Sequence, residues 1–114
     1  SLNGINDSYE LFEIDDDNPS YGDKPVFGND AVLKVFGYPK EKIFNYEFWL
    51  NKCVHPDDRE EQSNYFKNNN FPDMRTYRIV KPDGSVRLLK NTRMVKELSG
   101  IKYRIIINRD ITKE

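Results

Sequence analysis

The stretch MRTYRIVKPDGSVRLLKNTRMVKELSGIKYRIIINRDIT, residues 74–112, decides the architecture. β-Branched and aromatic residues alternate with basic ones along it, the period-two pattern of strands with one buried face. Arg75 to Lys81 reads as one strand, Val86 to Val95 as a second and Ile101 to Asn108 as a third. Pro82-Asp83-Gly84-Ser85 carries hairpin-turn chemistry between the first two, and Ser99-Gly100 turns the chain again before the third. Three consecutive antiparallel strands are therefore expected at the C-terminal end.

Upstream, Tyr9 to Ile14 alternates Tyr9, Leu11 and Glu13 against Glu10, Phe12 and Ile14, and reads as a strand. Asp15 to Asp23 is rich in chain breakers and reads as a loop. Pro25 to Gly28 is a second short strand that pairs with the first across it. Asn29 is expected to cap a helix through its side-chain oxygen. Ala31, Val32, Val35 and Phe36 fall on one face of that helix, and Gly37 stops it. Pro39 opens a further turn, and Ile43, Phe44, Tyr46, Phe48, Trp49 and Leu50 form the densest apolar cluster. His55 stands in a capping position before Pro56, and Asp57, Asp58, Glu60 and Glu61 place negative charge on the first turns of a longer helix. It runs to about Phe66, Asn68-Asn69-Asn70 reads as its frayed end, and Pro72 closes the connection. Two strands, several short helices and three hairpin-linked strands imply an α+β fold, an antiparallel sheet with helices on one face.

The chain has 114 residues, 13% of them aromatic, enough for one domain with one core. Net charge is −1, which supplies no global attraction to nucleic acid. The distribution is uneven: residues 1–30 hold eight acids against Lys24, and residues 75–114 hold eleven bases against four acids. Basic strand exteriors are read as solvated sheet surface without the aromatic interleaving of a nucleic-acid face. Cys53 is the sole cysteine, so no intrachain disulfide forms and a reducing, cytoplasmic setting is expected. No apolar run approaches a membrane span, and no direct membrane contact is expected. The chain begins at Ser1 and stops shortly after a strand, so it reads as a single domain, residues 1–114, excised from a longer multidomain protein.

Catalytic patterns are missing. Asp57 and Asp58 are adjacent and do not face one another on a helix. No nucleophile has a histidine partner placed by the sequence, and no glycine loop matches a phosphate cradle. Cys53 and His55 supply two metal ligands where a structural zinc site takes four.

Four segments in order resemble one family. Asn29-Asp30-Ala31 through Phe36-Gly37-Tyr38-Pro39, Val54-His55-Pro56-Asp57-Asp58-Arg59, Tyr77 through Pro82-Asp83-Gly84-Ser85, and Arg109-Asp110-Ile111-Thr112 are similar to the signatures of PAS sensory domains. They resemble above all those preceding bacterial and archaeal histidine kinases and diguanylate cyclases. The resemblance implies a five-stranded sheet in the order 2-1-5-4-3, a signal-input role and a downstream output domain. Two departures stand out. The loop from Asp15 to Lys24 is longer than the family's tight hairpin, and Ile106 occupies a position where the family often has glycine, which shrinks any pocket.

By analogy with flavin-binding members, the inner face of the sheet carries Tyr77 and Ile79, then Leu89, Asn91 and Arg93, then Arg104, Ile106 and Asn108. Tyr77, Ile79, Leu89, Asn91, Arg104, Ile106 and Asn108 are the candidate ligand-binding residues. Buried Asn91, Asn108 and Arg104 need partners. A polar or anionic small molecule or water would supply them; alternatively Arg104 pairs with an acid at the rim and the asparagines bond backbone. A cavity of roughly 300 Å³ or more would favour a ligand, and a core filled by Ile106, Leu89 and Trp49 a pure interaction domain. Neither haem nor flavin is expected: His55 precedes the long helix, and Cys53 does not lie in a photosensor cysteine motif. Leu88, Tyr103, Ile105 and Ile107 project from the opposite face and form a candidate homodimer surface, with a cover by Leu2 and Ile5 as the alternative. Asp110 and Thr112 are the candidate relay to the output domain, through capping of a following helix.

Overall fold

A computed structural model describes residues 6–113. Its sheet comprises β1 (Ser8–Glu13), β2 (Lys24–Gly28), β3 (Met74–Val80), β4 (Val86–Leu98) and β5 (Ile101–Asp110), all antiparallel, in the order β2-β1-β5-β4-β3. The expected α+β fold and strand order are both present. The central position of β5 makes the two ends of the chain neighbours: Ser8 pairs with Asn108 and Glu13 with Tyr103.

Turn chemistry sets the hairpins. Between β3 and β4, Asp83 accepts from the Ser85 amide at 2.9 Å and from its hydroxyl at 2.6 Å, while Gly84 sits at φ 87°. Between β4 and β5, Ser99 and Gly100 both have positive φ, 52° and 82°. That two-residue turn matches the twist of paired strands. It lets Leu98 pair with Ile101, so β4 extends past the expected end at Val95 and β5 continues to Asp110.

The helical segments lie between β2 and β3: α1 (Ala31–Phe36), α2 (Lys40–Ile43), α3 (Tyr46–Phe48), a π turn at Trp49–Cys53, a 3-10 turn at Pro56–Asp58 and α4 (Arg59–Asn68). Ala31, Val32, Val35 and Phe36 are buried, as their spacing predicts. Asn29 does not cap α1. Its side chain accepts from the Tyr9 amide at 3.0 Å and donates to the Asp7 carbonyl at 3.1 Å, tying the helix entrance to β1. The start of β1, beyond its pairing with β2, offers it long-range partners that helical spacing does not reveal. His55 does cap, accepting from the Asp57 amide at its Nδ1. Asp58 then accepts from the Arg78 backbone and guanidinium, which holds its carboxyl below the usual range and fastens the entrance of α4 to β3. Asn69, rather than fraying, closes α4 in the left-handed conformation at φ 46°.

The apolar core is Val32, Val35, Phe36, Ile43, Trp49, Cys53, Val54, Tyr77, Ile79 and Leu89. Trp49 donates to the Tyr77 hydroxyl at 3.3 Å, and Val54 bridges to Ile79, so the π turn is stitched directly to β3. No helix among the described residues is long and apolar enough to cross a membrane. Leu2 and Ile5 lie outside the described residues.

Gly37 ends α1 at φ 79°, and a Cβ there would come 2.5 Å from Cδ of Pro82. Gly84 has a similar φ of 87° but open space around it. Gly84→Ala should therefore cost about 1–2 kcal/mol from left-handed backbone alone. Gly37→Ala adds overpacking and should cost about 1–3 kcal/mol more. Urea titrations of both variants check this: the Gly37 variant shifts its midpoint further, at unchanged m value.

Candidate functional site

The inner face of the sheet is organised in rows set by strand register. One row joins Ser8, Asn108, Asn91 and Arg75 across four strands. The next joins Glu10, Ile106 and Arg93, and a third Phe12, Arg104 and Val95. Six polar side chains at or beside the first row are buried and form one continuous hydrogen-bond chain. Arg75 donates to Gln62 of α4 at 2.8 Å and to Asn91 at 2.6 Å. Asn91 donates to Asn108 at 2.7 Å, and Asn108 donates to Ser8 and to Glu10, each at 3.1 Å. The chain therefore crosses from α4 through β3, β4 and β5 to β1. The Gln62 amide nitrogen is buried without a partner among the described residues.

Above this face lies a cavity of about 100 Å³. Its sheet side carries Glu10, Phe12, Arg75, Tyr77, Asn91, Arg93, Arg104, Ile106 and Asn108, and its helical side Phe36, Ile43, Phe44, Tyr46, Trp49 and Phe66. Ser20, Tyr21 and Asp23 of the β1–β2 connection complete the wall. Asp23 organises that connection, accepting from the Asp15 and Ser20 amides at 3.1 and 3.0 Å and from Arg104 at 2.8 Å.

Charge is unevenly matched there. Arg104 has its carboxylate partner in Asp23. Among the described residues Arg75 bonds only neutral amides, and it lies 4.9 Å from the Phe71 ring centroid and 5.3 Å from that of Tyr77. Arg93 donates to the Ser20 hydroxyl at 3.0 Å and stacks 3.6 Å from the Phe71 centroid. Burial, with repulsion from Arg104 and Arg75, pushes Arg93 down to about 9, so it stays charged at neutral pH. Burial pushes Glu10 up to about 7 against the opposing pull of Arg93 and the Asn108 hydrogen bond. Cys53, fully buried, is pushed up to about 12, mainly by burial, which makes it a poor nucleophile.

A family model described as the PAS fold matches residues 25–107. The chain belongs to the PAS family. Solved structures share the fold at low identity. A PAS domain from a two-component sensor histidine kinase is 14% identical, with 96% of this chain and 88% of that one covered and a TM-score of 0.55. The N-terminal domain of a diguanylate cyclase with PAS/PAC sensor from Marinobacter aquaeolei is 17% identical, with 90% and 94% covered and a TM-score of 0.63. A light-oxygen-voltage domain studied with a flavin analogue is 11% identical, with 93% and 78% covered and a TM-score of 0.60. No curated protein matches the chain.

Within this PAS domain, Tyr77, Asn91, Arg104, Ile106 and Asn108 line the cavity, whereas Ile79 and Leu89 are buried in the core beside it. Arg104 meets an acid, and the asparagines bond side chains rather than backbone. Sequence reading passed over Arg75, Glu10 and the Ser20–Asp23 segment. Glu10 stood in an alternating strand, so its inward face was legible. Its burial was not, because the neutralising partners come from β4 and β5.

On the outer face, two rows cross the sheet: Phe27, Leu11, Ile105 and Met94, then Tyr9, Ile107, Thr92 and Met74. Ile105 and Ile107 sit within these rows. Tyr103 pairs with Glu13 and Lys96 at their margin, and Leu88 stands apart, opposite Arg78. At the exit, Arg87 bonds Asp110 at 2.7 Å, Asp110 accepts from the Thr112 amide at 2.9 Å, and the Thr112 hydroxyl accepts from the Leu88 amide at 2.7 Å. Burial raises Asp110, but the bonds from Arg87 and Thr112 together hold it below the usual range. These contacts tie Asp110 and Thr112 to β4.

Glu10 makes stability fall with rising pH. Its folded value of about 7 lies above the ordinary carboxyl value of 4.5, so the folded state holds a proton that the unfolded chain releases. The neutral form is fully favoured below pH 4.5, and its advantage is lost as pH rises to about 7. The difference corresponds to about 3 kcal/mol. Glu10→Gln keeps an acceptor for Asn108 and removes the charge. Chemical denaturation between pH 5 and 8 should show the wild type losing stability across this window and the variant losing much less.

Proposed function

We infer that this PAS domain is a cytoplasmic sensory input module of a bacterial or archaeal signalling protein. It takes up a small molecule between its helices and the inner face of its sheet. Its output is a packing change passed through Asp110, Ile111 and Thr112 to a downstream domain, of the histidine kinase or diguanylate cyclase kind. The observation that carries this reading is the continuity of cavity wall and exit. Asn91 and Arg93 line the cavity on β4, Asn108 and Ile106 line it on β5, and the same two strands hold Asp110 and Thr112. An occupant that shifts β4 against β5 acts on the exit within the same ladder.

The cavity bounds the occupant. At about 100 Å³ it is smaller than the roughly 300–1,000 Å³ of pockets for drug-sized ligands. Ile106, a bulky side chain where the family often has glycine, is part of its wall. The occupant proposed is smaller than haem or a flavin. The ligand contacts assigned are Tyr77, Asn91, Arg104, Ile106 and Asn108, with Ile79 and Leu89 behind them.

A second reading, a ligand-free interaction domain, is favoured by the outer face. Phe27 and Met94, 53% and 38% exposed, flank Leu11 and Ile105 in an apolar row across four strands. Homodimerisation of the PAS domain through Ile105, Ile107, Tyr103 and Leu88 fits either reading. Nucleic acid and membrane are not proposed partners.

Native mass spectrometry of protein purified from its own host tests the sensory reading. A retained small molecule is the expected result; bare chain in every charge state would remove its support. Ile105→Lys places a charge in the apolar row and should weaken self-association about tenfold or more in sedimentation runs over a concentration series. Unchanged association would rule out this face as the dimer contact.

A further inference from the structure

The cavity holds more positive charge than its own acids balance. Three guanidiniums line it, those of Arg75, Arg93 and Arg104, against the carboxyls of Asp23 and Glu10. Asp23 is spent on Arg104 at 2.8 Å. Glu10 is buried, accepts from Asn108, and is half protonated near neutral pH. Among the described residues neither Arg75 nor Arg93 makes an ion pair; their polar partners are Gln62, Asn91 and the Ser20 hydroxyl, all neutral. Arg93, 7% exposed, is moreover pressed by two like charges, Arg104 and Arg75, which outweigh the weaker pull of Asp23 and Glu10. A buried cation with no carboxylate in contact is costly, and an anion placed against it relieves both desolvation and repulsion.

Size and lining narrow the chemistry. A cavity of 150 Å³ accepts benzene. By proportion, a volume of about 100 Å³ accepts roughly four heavy atoms. The far wall is apolar and aromatic, with Phe44, Trp49 and Phe66. An anion with a planar two-oxygen head and a short apolar tail suits a guanidinium on one side and aromatic rings on the other.

We propose that the cavity binds a small organic carboxylate, its head on Arg93 and its short tail against the aromatic wall. The proposal rests on the sensory reading above and adds the class of molecule sensed. The carboxylate takes the place that an acidic side chain would fill were Arg93 a structural ion pair, and Arg75 adds long-range attraction without giving up its amide partners. Arg104 is not the recognition group, because Asp23 already occupies it.

Sodium propionate is the probe, titrated into ¹⁵N-labelled protein beside propionamide and n-butylammonium chloride, with sodium chloride matching ionic strength. Propionate should produce saturable shifts centred on the amides of Asn91, Arg93 and Ile106, and the other two compounds should not. Arg93→Gln should weaken the propionate response at least tenfold. Equal response to propionate and propionamide, preference for the ammonium, or undiminished binding to folded Arg93→Gln would each overturn the assignment. If that variant fails to fold, the three-probe selectivity of the wild type decides alone. No response to any probe overturns it as well. A neutral or cationic molecule retained in the native mass spectrum would overturn the carboxylate class and leave the sensory reading standing, whereas bare chain would remove both.

Discussion

The hydrogen-bond chain from Gln62 through Arg75, Asn91 and Asn108 to Ser8 and Glu10 holds the rest of the molecule in place. One residue or more from each of β3, β4, β5 and β1 enters it, and α4 closes one end. Every member is buried, so each bond lost leaves a group out of water and unpaired, at roughly 1–3 kcal/mol apiece. An apolar face tolerates a two-residue slip in strand register, since the same kind of side chain returns inward. This face does not, because the donors and acceptors fall out of sequence. The polar row thus selects one register among several that hydrophobic burial alone leaves close in energy.

The same row makes the inner face electrostatically unusual. Polar residues in a core have to be satisfied, and satisfying Arg75 and the asparagines with amides leaves the cations of the neighbouring rows short of anions. The long β1–β2 connection answers part of that need by bringing Asp23 to Arg104. The departure from a tight hairpin therefore has a structural consequence: the extra residues fold over the sheet, and Ser20 and Tyr21 become cavity wall. What remains unbalanced lies around Arg93 and Glu10, in a single row across β1, β5 and β4.

Both faces of the sheet are coupled by geometry. Residues alternate along β5, so Ile106 and Asn108 face the cavity while Ile105 and Ile107 face outward, and Asp110 ends the same strand against Arg87. Under the proposed sensory reading, a shift of β5 on its inner face would be felt by the outer rows and the exit on the same strand. The relay proposed above would use this strand, because both of its faces are loaded.

The chain's own pattern was enough to read the element order, the hairpin turns and the division of the last strands into two faces, while the choice of inner face came from the analogy with flavin-binding members. The first three come from local chemistry: period-two alternation, proline and glycine at turns, small polar residues at helix ends. The resemblance of four short segments then supplied the strand order. Neighbouring residues could not say that Asn29 would bond β1 instead of capping α1, that Glu10 would be buried, or which acid Arg104 would meet. Arg104 and Asp23 are 81 residues apart, and Arg109 and Asp7 are 102. A side chain's charge state and partner depend on the dielectric and the groups that packing brings around it, and those arrive from distant parts of the chain only when the sheet closes.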